Sequence, residues 1–93
     1  MNKYQVLFII DIDSTDEKKQ ELVEKFSELV VSLGGEVNSV EKWGAKKYAY
    51  PINYKKEGYY VLMKITAGAD VPAELDRQMK INENIVRQMI TKI

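Results

Sequence analysis

Lys3-Tyr4-Gln5-Val6-Leu7-Phe8-Ile9-Ile10-Asp11-Ile12 opens the chain and decides how the rest is arranged around it. The stretch is short, rich in Val, Ile, Phe and Tyr, and followed by Asp-rich sequence, so it reads as a β-strand. Alternation puts Tyr4, Val6, Phe8 and Ile10 on one face and Leu7 and Ile9 on the other. A strand apolar on both faces belongs in the middle of a sheet with both sides covered.

A helix is expected next, over Asp16–Leu33. Leu22, Phe26, Leu29, Val30 and Leu33 recur at the 3.6-residue period of an amphipathic helix. Ser14 and Glu17 have the spacing of a capping box, and Gly34-Gly35 ends the helix. Glu36–Ile52 reads as an extended segment, with a bulge or bend at Gly44 and an edge position at Pro51. A turn is expected around Lys55-Lys56-Glu57-Gly58, then a strand over Tyr59–Thr66. Asp70 and Pro72 suit the start of a short second helix, with Val71, Leu75 and Met79 on one stripe. Ile85–Ile93 is β-branched and reads as the last strand.

The order is therefore β-α-β-β-α-β. That is the α+β, ferredoxin-like pattern of two split strand–helix–strand units. Right-handed crossovers place both helices on one face of a four-stranded antiparallel sheet. The opposite face is then left open. Because the first strand and the Tyr59–Thr66 strand are apolar on both sides, that open face is expected to carry aliphatic and aromatic groups and to meet a partner.

Composition excludes several function classes. The 93 residues suit one domain, residues 1–93, and are too few for two cores. The chain contains neither Cys nor His, which removes disulfides, thiolate metal sites and the commonest general base. No catalytic residue, metal or cofactor is expected. The Asp11–Asp16 stretch has Asp16 and Leu22 where a calcium loop needs Gly and Glu. Gly34-Gly35 does not open a helix and lacks the dinucleotide-binding pattern. The longest early apolar run, Val6–Ile10, is too short to span a membrane, and the chain reads as a soluble intracellular domain.

Charge is more informative by segment than in sum. Fourteen basic and fourteen acidic residues cancel. Residues 11–28 hold seven acidic and three basic groups, whereas 42–56 hold five Lys and no acid. Trp43, Tyr48, Tyr50 and Tyr54 are interleaved with those lysines. From Arg77 to Lys92 there are Arg77, Lys80, Arg87 and Lys92 against Glu83 alone. Cations offer phosphate contacts and neighbouring rings offer base stacking. The chain does not carry the RNA-recognition-motif strand: around Gly58 only Gly58 and Tyr59 fit that pattern.

Trp43-Gly44-Ala45-Lys46-Lys47-Tyr48-Ala49-Tyr50-Pro51-Ile52 resembles the W-G-x-R/K-R/K-x-A-Y-P-I signature of the bacterial small-subunit ribosomal protein six family. Gly58-Tyr59-Tyr60 is similar to that family's G-x-F/Y entry into its third strand. Lys80-Ile81-Asn82-Glu83-Asn84-Ile85-Val86-Arg87-Gln88-Met89 resembles its I-N-D/E-x-V/I-x-R-x-M segment. The likeness covers nearly the whole chain, in order. It implies a ferredoxin-like, non-enzymatic protein of the small-subunit platform. It further implies binding to small-subunit ribosomal RNA as a heterodimer with ribosomal protein eighteen. Asn2 stands where many members have Arg, and Lys46-Lys47 replaces a common Arg-Arg, which gives up the planar, bidentate fork.

Joined to the charge pattern, the resemblance nominates Lys3, Lys46, Lys47, Arg77, Lys80, Arg87 and Lys92 as phosphate contacts. Tyr4, Tyr50 and Tyr60 offer rings that stack on RNA or pack against the protein partner, two roles the sequence does not separate; Tyr4 and Tyr50 are grouped with the RNA contacts, and Tyr60 and Leu62 with the partner contacts. Arg87 is the strongest single choice, since it fits the terminal motif and lies in a segment with little acid. Two other functions fit the same fold: a small-molecule-binding regulatory domain, and a homo-oligomer that hides its open face against itself.

Overall fold

A computed structural model describes residues 1–52 and 55–93, with the side chains of 48–52 and 55 left aside. The elements are β1 (Asn2–Asp11), α1 (Asp16–Ser32), β2 (Glu36–Ile52), β3 (Lys55–Ala67), α2 (Val71–Lys80) and β4 (Ile85–Lys92). They form one sheet in the order β2-β3-β1-β4, with every pairing antiparallel. This is the expected ferredoxin-like arrangement, with β1 inside the sheet as its two apolar faces require.

The core lies between one sheet face and the two helices. Val6, Phe8 and Ile10 of β1 and Val61, Met63 and Ile65 of β3 meet Leu22, Phe26 and Val30 of α1 and Val71, Leu75 and Met79 of α2. Phe8 and Phe26 pack edge to face, with ring centroids 5.7 Å apart at 70°. That is the arrangement the ring quadrupoles favour.

The helix ends explain themselves locally. Ser14 is not the α1 cap. Its N–H closes a turn onto the Asp11 carbonyl at 3.0 Å, so the helix begins one residue later. Thr15 is the cap, and its hydroxyl accepts from the Lys18 N–H at 3.1 Å. At the other end Gly34 has φ +86°. Its N–H bonds to the Val31 carbonyl, and the Gly35 N–H bonds to that of Val30. These are the paired bonds of a Schellman stop. Asp70 flanks α2 but makes no side-chain cap bond. Its own backbone is already helical, and the Val71 N–H goes to the Gly68 carbonyl instead.

The expected turn at Lys55–Gly58 is a correction. These residues belong to β3, where Ile52 pairs with Lys55, Lys47 with Glu57 and Lys46 with Gly58. Since β1 ends opposite Gly58 at Asp11, the hairpin runs past the rest of the sheet. Among the described residues no third strand or helix pairs with or covers it there, so its sequence has no need of apolar alternation. Gly44, at φ +81°, sits at a register shift in β2, which is the expected bulge. Pro51 falls in β2, an edge strand.

Candidate nucleic-acid and partner interface

Directly paired residues of an antiparallel sheet share a face, so the register maps the side turned away from the helices. One row across it reads Glu41, Leu62, Leu7 and Met89. The next reads Gly44, Tyr60, Ile9 and Arg87, and on the other side lie Ser39, Lys64, Gln5 and Thr91. The expected apolar open face is therefore present. Leu7, Ile9, Tyr60, Leu62 and Met89 form its centre, and Arg87 and Lys64 lie beside them. Leu62 is only 5% exposed and Ile9 is buried, whereas Met89 is 60% exposed and Tyr60 is half-buried. Leu62 is thus the floor of the patch. Tyr60 and Met89 rise from it.

The nominated cations separate into groups. Lys3 and Lys92 lie at one end of the sheet, where the Ile93 N–H bonds to the Lys3 carbonyl at 2.9 Å; Lys3 is on the open face, whereas Lys92, paired with Tyr4, is on the helix side. At the other end Lys46 is level with Asp11, the last residue of β1, on the open face, and Lys47 lies one residue beyond, opposite Glu57 and on the other face. Eight residues of β1 separate the two groups, about 25 Å at the rise of an extended strand. Arg87 stands on the open face between them. A surface this long suits a nucleic-acid backbone better than a small ligand.

Arg77 and Lys80 are not brought to that surface. Both lie on α2, in the helix layer, and both already have carboxylate partners. Arg77 grips Glu74 through two bonds of 2.6 and 3.0 Å. That guanidinium, followed by the Gln78 amide, holds the Glu74 carboxyl down at about 2. The same pairing raises the Arg77 pKa. Lys80 reaches Asp76 at 3.1 Å. Lys80 and then Gln88 lower the Asp76 pKa by hydrogen bonding to its charged form.

Tyr4 must be withdrawn as a stacking ring. It is 7% exposed and part of the core, because even-numbered β1 residues face the helices. Its hydroxyl accepts from Asn2 Nδ2 at 3.3 Å. The Tyr50 side chain lies outside the described residues. Lys42 also turns to the helix side, donating to Gln20 Oε1 at 2.5 Å.

Three groups escaped the residue-by-residue reading. Lys64 shares its face with Tyr60 and Leu62, which the alternation of β3 already contains. Met89 stands two residues from Arg87, so it shares its face. Trp43, 44% exposed, was quoted within the basic segment but not nominated. The Lys46 ammonium sits 5.2 Å from the centroid of its ring.

The chain is similar to known proteins. A family model described as ribosomal protein S6 matches residues 3–92. The chain is 43% identical over 93 residues to small ribosomal subunit protein bS6 of Alkaliphilus metalliredigens, covering 100% of this chain and 98% of that one. It is 48% identical over 92 residues to the bS6 of Desulforamulus reducens, covering 99% and 97%. The crystal structure of 30S ribosomal protein S6 from Thermotoga maritima superposes with a TM-score of 0.94 at 25% identity, covering 99% of this chain and 87% of that one.

Proposed function

The chain belongs to the ribosomal protein S6 family, and from that premise we propose that it binds small-subunit ribosomal RNA in the platform of the small subunit, together with ribosomal protein eighteen. The family is structural and not enzymatic. In this reading the protein works in the cytoplasm, inside the assembling small subunit.

The observation that carries the reading is the open sheet face. Its apolar centre of Leu7, Tyr60 and Met89 lies beside Arg87 and Lys64, with further cations at both ends of the sheet. The apolar centre suits a protein partner. The cations suit phosphates. Zero net charge gives the free chain little long-range attraction for RNA. A basic partner docked on the apolar centre would add phosphate contacts and make binding cooperative.

Filter binding to a platform RNA fragment, with and without ribosomal protein eighteen, tests the reading. The pair is expected to bind far more tightly than this chain alone. Charge reversal at Lys46, Lys47 and Arg87 is expected to weaken the complex without unfolding the domain. Equal affinity of the single chain and the pair would remove the cooperative part. Unchanged binding by the charge-reversed chain would remove those three residues.

A further inference from the structure

Trp43 is the sole tryptophan of the chain, and its place is unusual for so large a ring. Phe8 and Phe26 are fully buried, yet Trp43 keeps 44% of its surface in water. It sits in edge strand β2 next to the positive-φ Gly44, where the register with β3 shifts. A bulge of this kind re-aims a side chain away from the regular pleat, and bulges gather beside functional sites. Of the neighbouring lysines, Lys42 is turned to Gln20 and Lys47 lies opposite Glu57, which leaves Lys46 as the cation at the ring. The Lys46 ammonium sits 5.2 Å from the ring centroid.

We propose that Trp43 is a stacking platform for an unpaired base of the RNA, and that Lys46 serves the phosphate next to that base. The inference rests on the RNA-binding reading above and names a contact within it. An indole face accepts any base without regard to sequence. Lys46 is held at the ring by a weak cation–π attraction in water and is free to exchange it for a phosphate oxygen. The surroundings favour RNA over protein as the occupant. Lysine is depleted at the centres of protein–protein interfaces, whereas an exposed ring with a lysine beside it is the makeup of a single-strand binding surface.

The test uses the full chain labelled with 5-fluorotryptophan, ribosomal protein eighteen, and a transcript of the central domain of small-subunit ribosomal RNA. The single fluorine resonance is expected to stay in place with protein eighteen alone and to shift when RNA is added. Trp43→Leu is expected to weaken RNA binding about 5- to 150-fold, the usual cost of one lost base stack. Trp43→Phe should lose much less. Because Trp43 is exposed, both variants should unfold at the wild-type denaturant midpoint, which serves as the folding control. A resonance that shifts with protein eighteen alone makes Trp43 a protein contact and overturns the proposal. RNA binding with an unmoved resonance and a Trp43→Leu affinity equal to wild type also overturns it, and leaves the RNA-binding reading standing. Failure of the unmodified pair to bind the transcript removes that reading and the proposal together.

Discussion

Gln88 of β4 donates from Nε2 to Oδ1 of Asp76 on α2 at 3.2 Å, while Lys80 reaches the other oxygen of the same carboxylate at 3.1 Å. One side chain thereby ties the second helix to the last strand, whose Arg87 and Met89 stand on the open face. The tie is acid-sensitive. Both Asp76 and Glu74 have lowered pKa values, Glu74 from 4.5 to about 2. A carboxyl with a depressed folded pKa adds stability above its unfolded pKa and loses it as pH falls toward the folded value. Urea midpoints are therefore expected to drop between pH 4.5 and about 2. Asp76→Asn should be less stable than wild type at neutral pH, with the gap closing as the pH falls below 3.8. A gap that stays constant across that range contradicts the assignment.

Apolar residues on the two faces of the sheet should behave oppositely. Phe26→Ala removes a fully buried ring that packs on Phe8, and should cost about 3–5 kcal/mol of unfolding free energy. Met89→Ala, on the exposed patch, should change stability by less than about 0.5 kcal/mol. It should instead weaken association with ribosomal protein eighteen. Denaturant titrations and pull-down of the partner separate the two effects. Normal partner binding by the Met89 variant would place the protein contact elsewhere.

The two Arg residues on either side of the sheet should also differ. Arg77 is bound to Glu74 in the helix layer, and Arg87 stands beside Ile9 on the open face. Arg87→Gln should lower RNA affinity and reduce the salt dependence by about one phosphate contact. Arg77→Gln should leave both nearly unchanged. Binding isotherms at several salt concentrations read this directly, and equal losses would contradict the division.

The first helix offers a sharp local check. Thr15→Ala should destabilise the protein by about 1 kcal/mol through the lost cap on the Lys18 amide. Ser14→Ala should cost clearly less. Thermal unfolding of the two variants decides between the neighbouring hydroxyls, and the reverse order would restore Ser14 as the cap.

These comparisons also show where the amino-acid pattern was readable. Val6, Phe8 and Ile10, with Leu7 and Ile9 opposite, disclosed a central strand because burial on both faces leaves no polar alternative. Leu22, Phe26 and Val30 disclosed α1 because one stripe of the helix must be apolar. Lys55–Gly58 misled, since a hairpin extending beyond the sheet has no face to bury and its charged residues look like a turn. Ser14 misled because a backbone turn from Asp11, invisible to side-chain spacing, moves the cap to Thr15. Tyr4 was placed correctly in the strand, yet its parity with Val6 puts it in the core. Arg77 and Lys80 share a basic segment with Arg87, but only the fold reveals that they point to a different layer. Trp43 stood in plain view, and its exposure depends on the edge position and the Gly44 bulge.

The most direct measurement is where the protein travels in the cell. An affinity-tagged chain is expressed in a bacterial host, and a lysate is fractionated on a sucrose gradient at low salt. The tagged chain should sediment with the small ribosomal subunit and its RNA, and Lys46, Lys47 and Arg87 charge reversals should reduce its share there. A chain that remains at the top of the gradient at low salt, apart from the subunit, would contradict the proposed binding to ribosomal RNA.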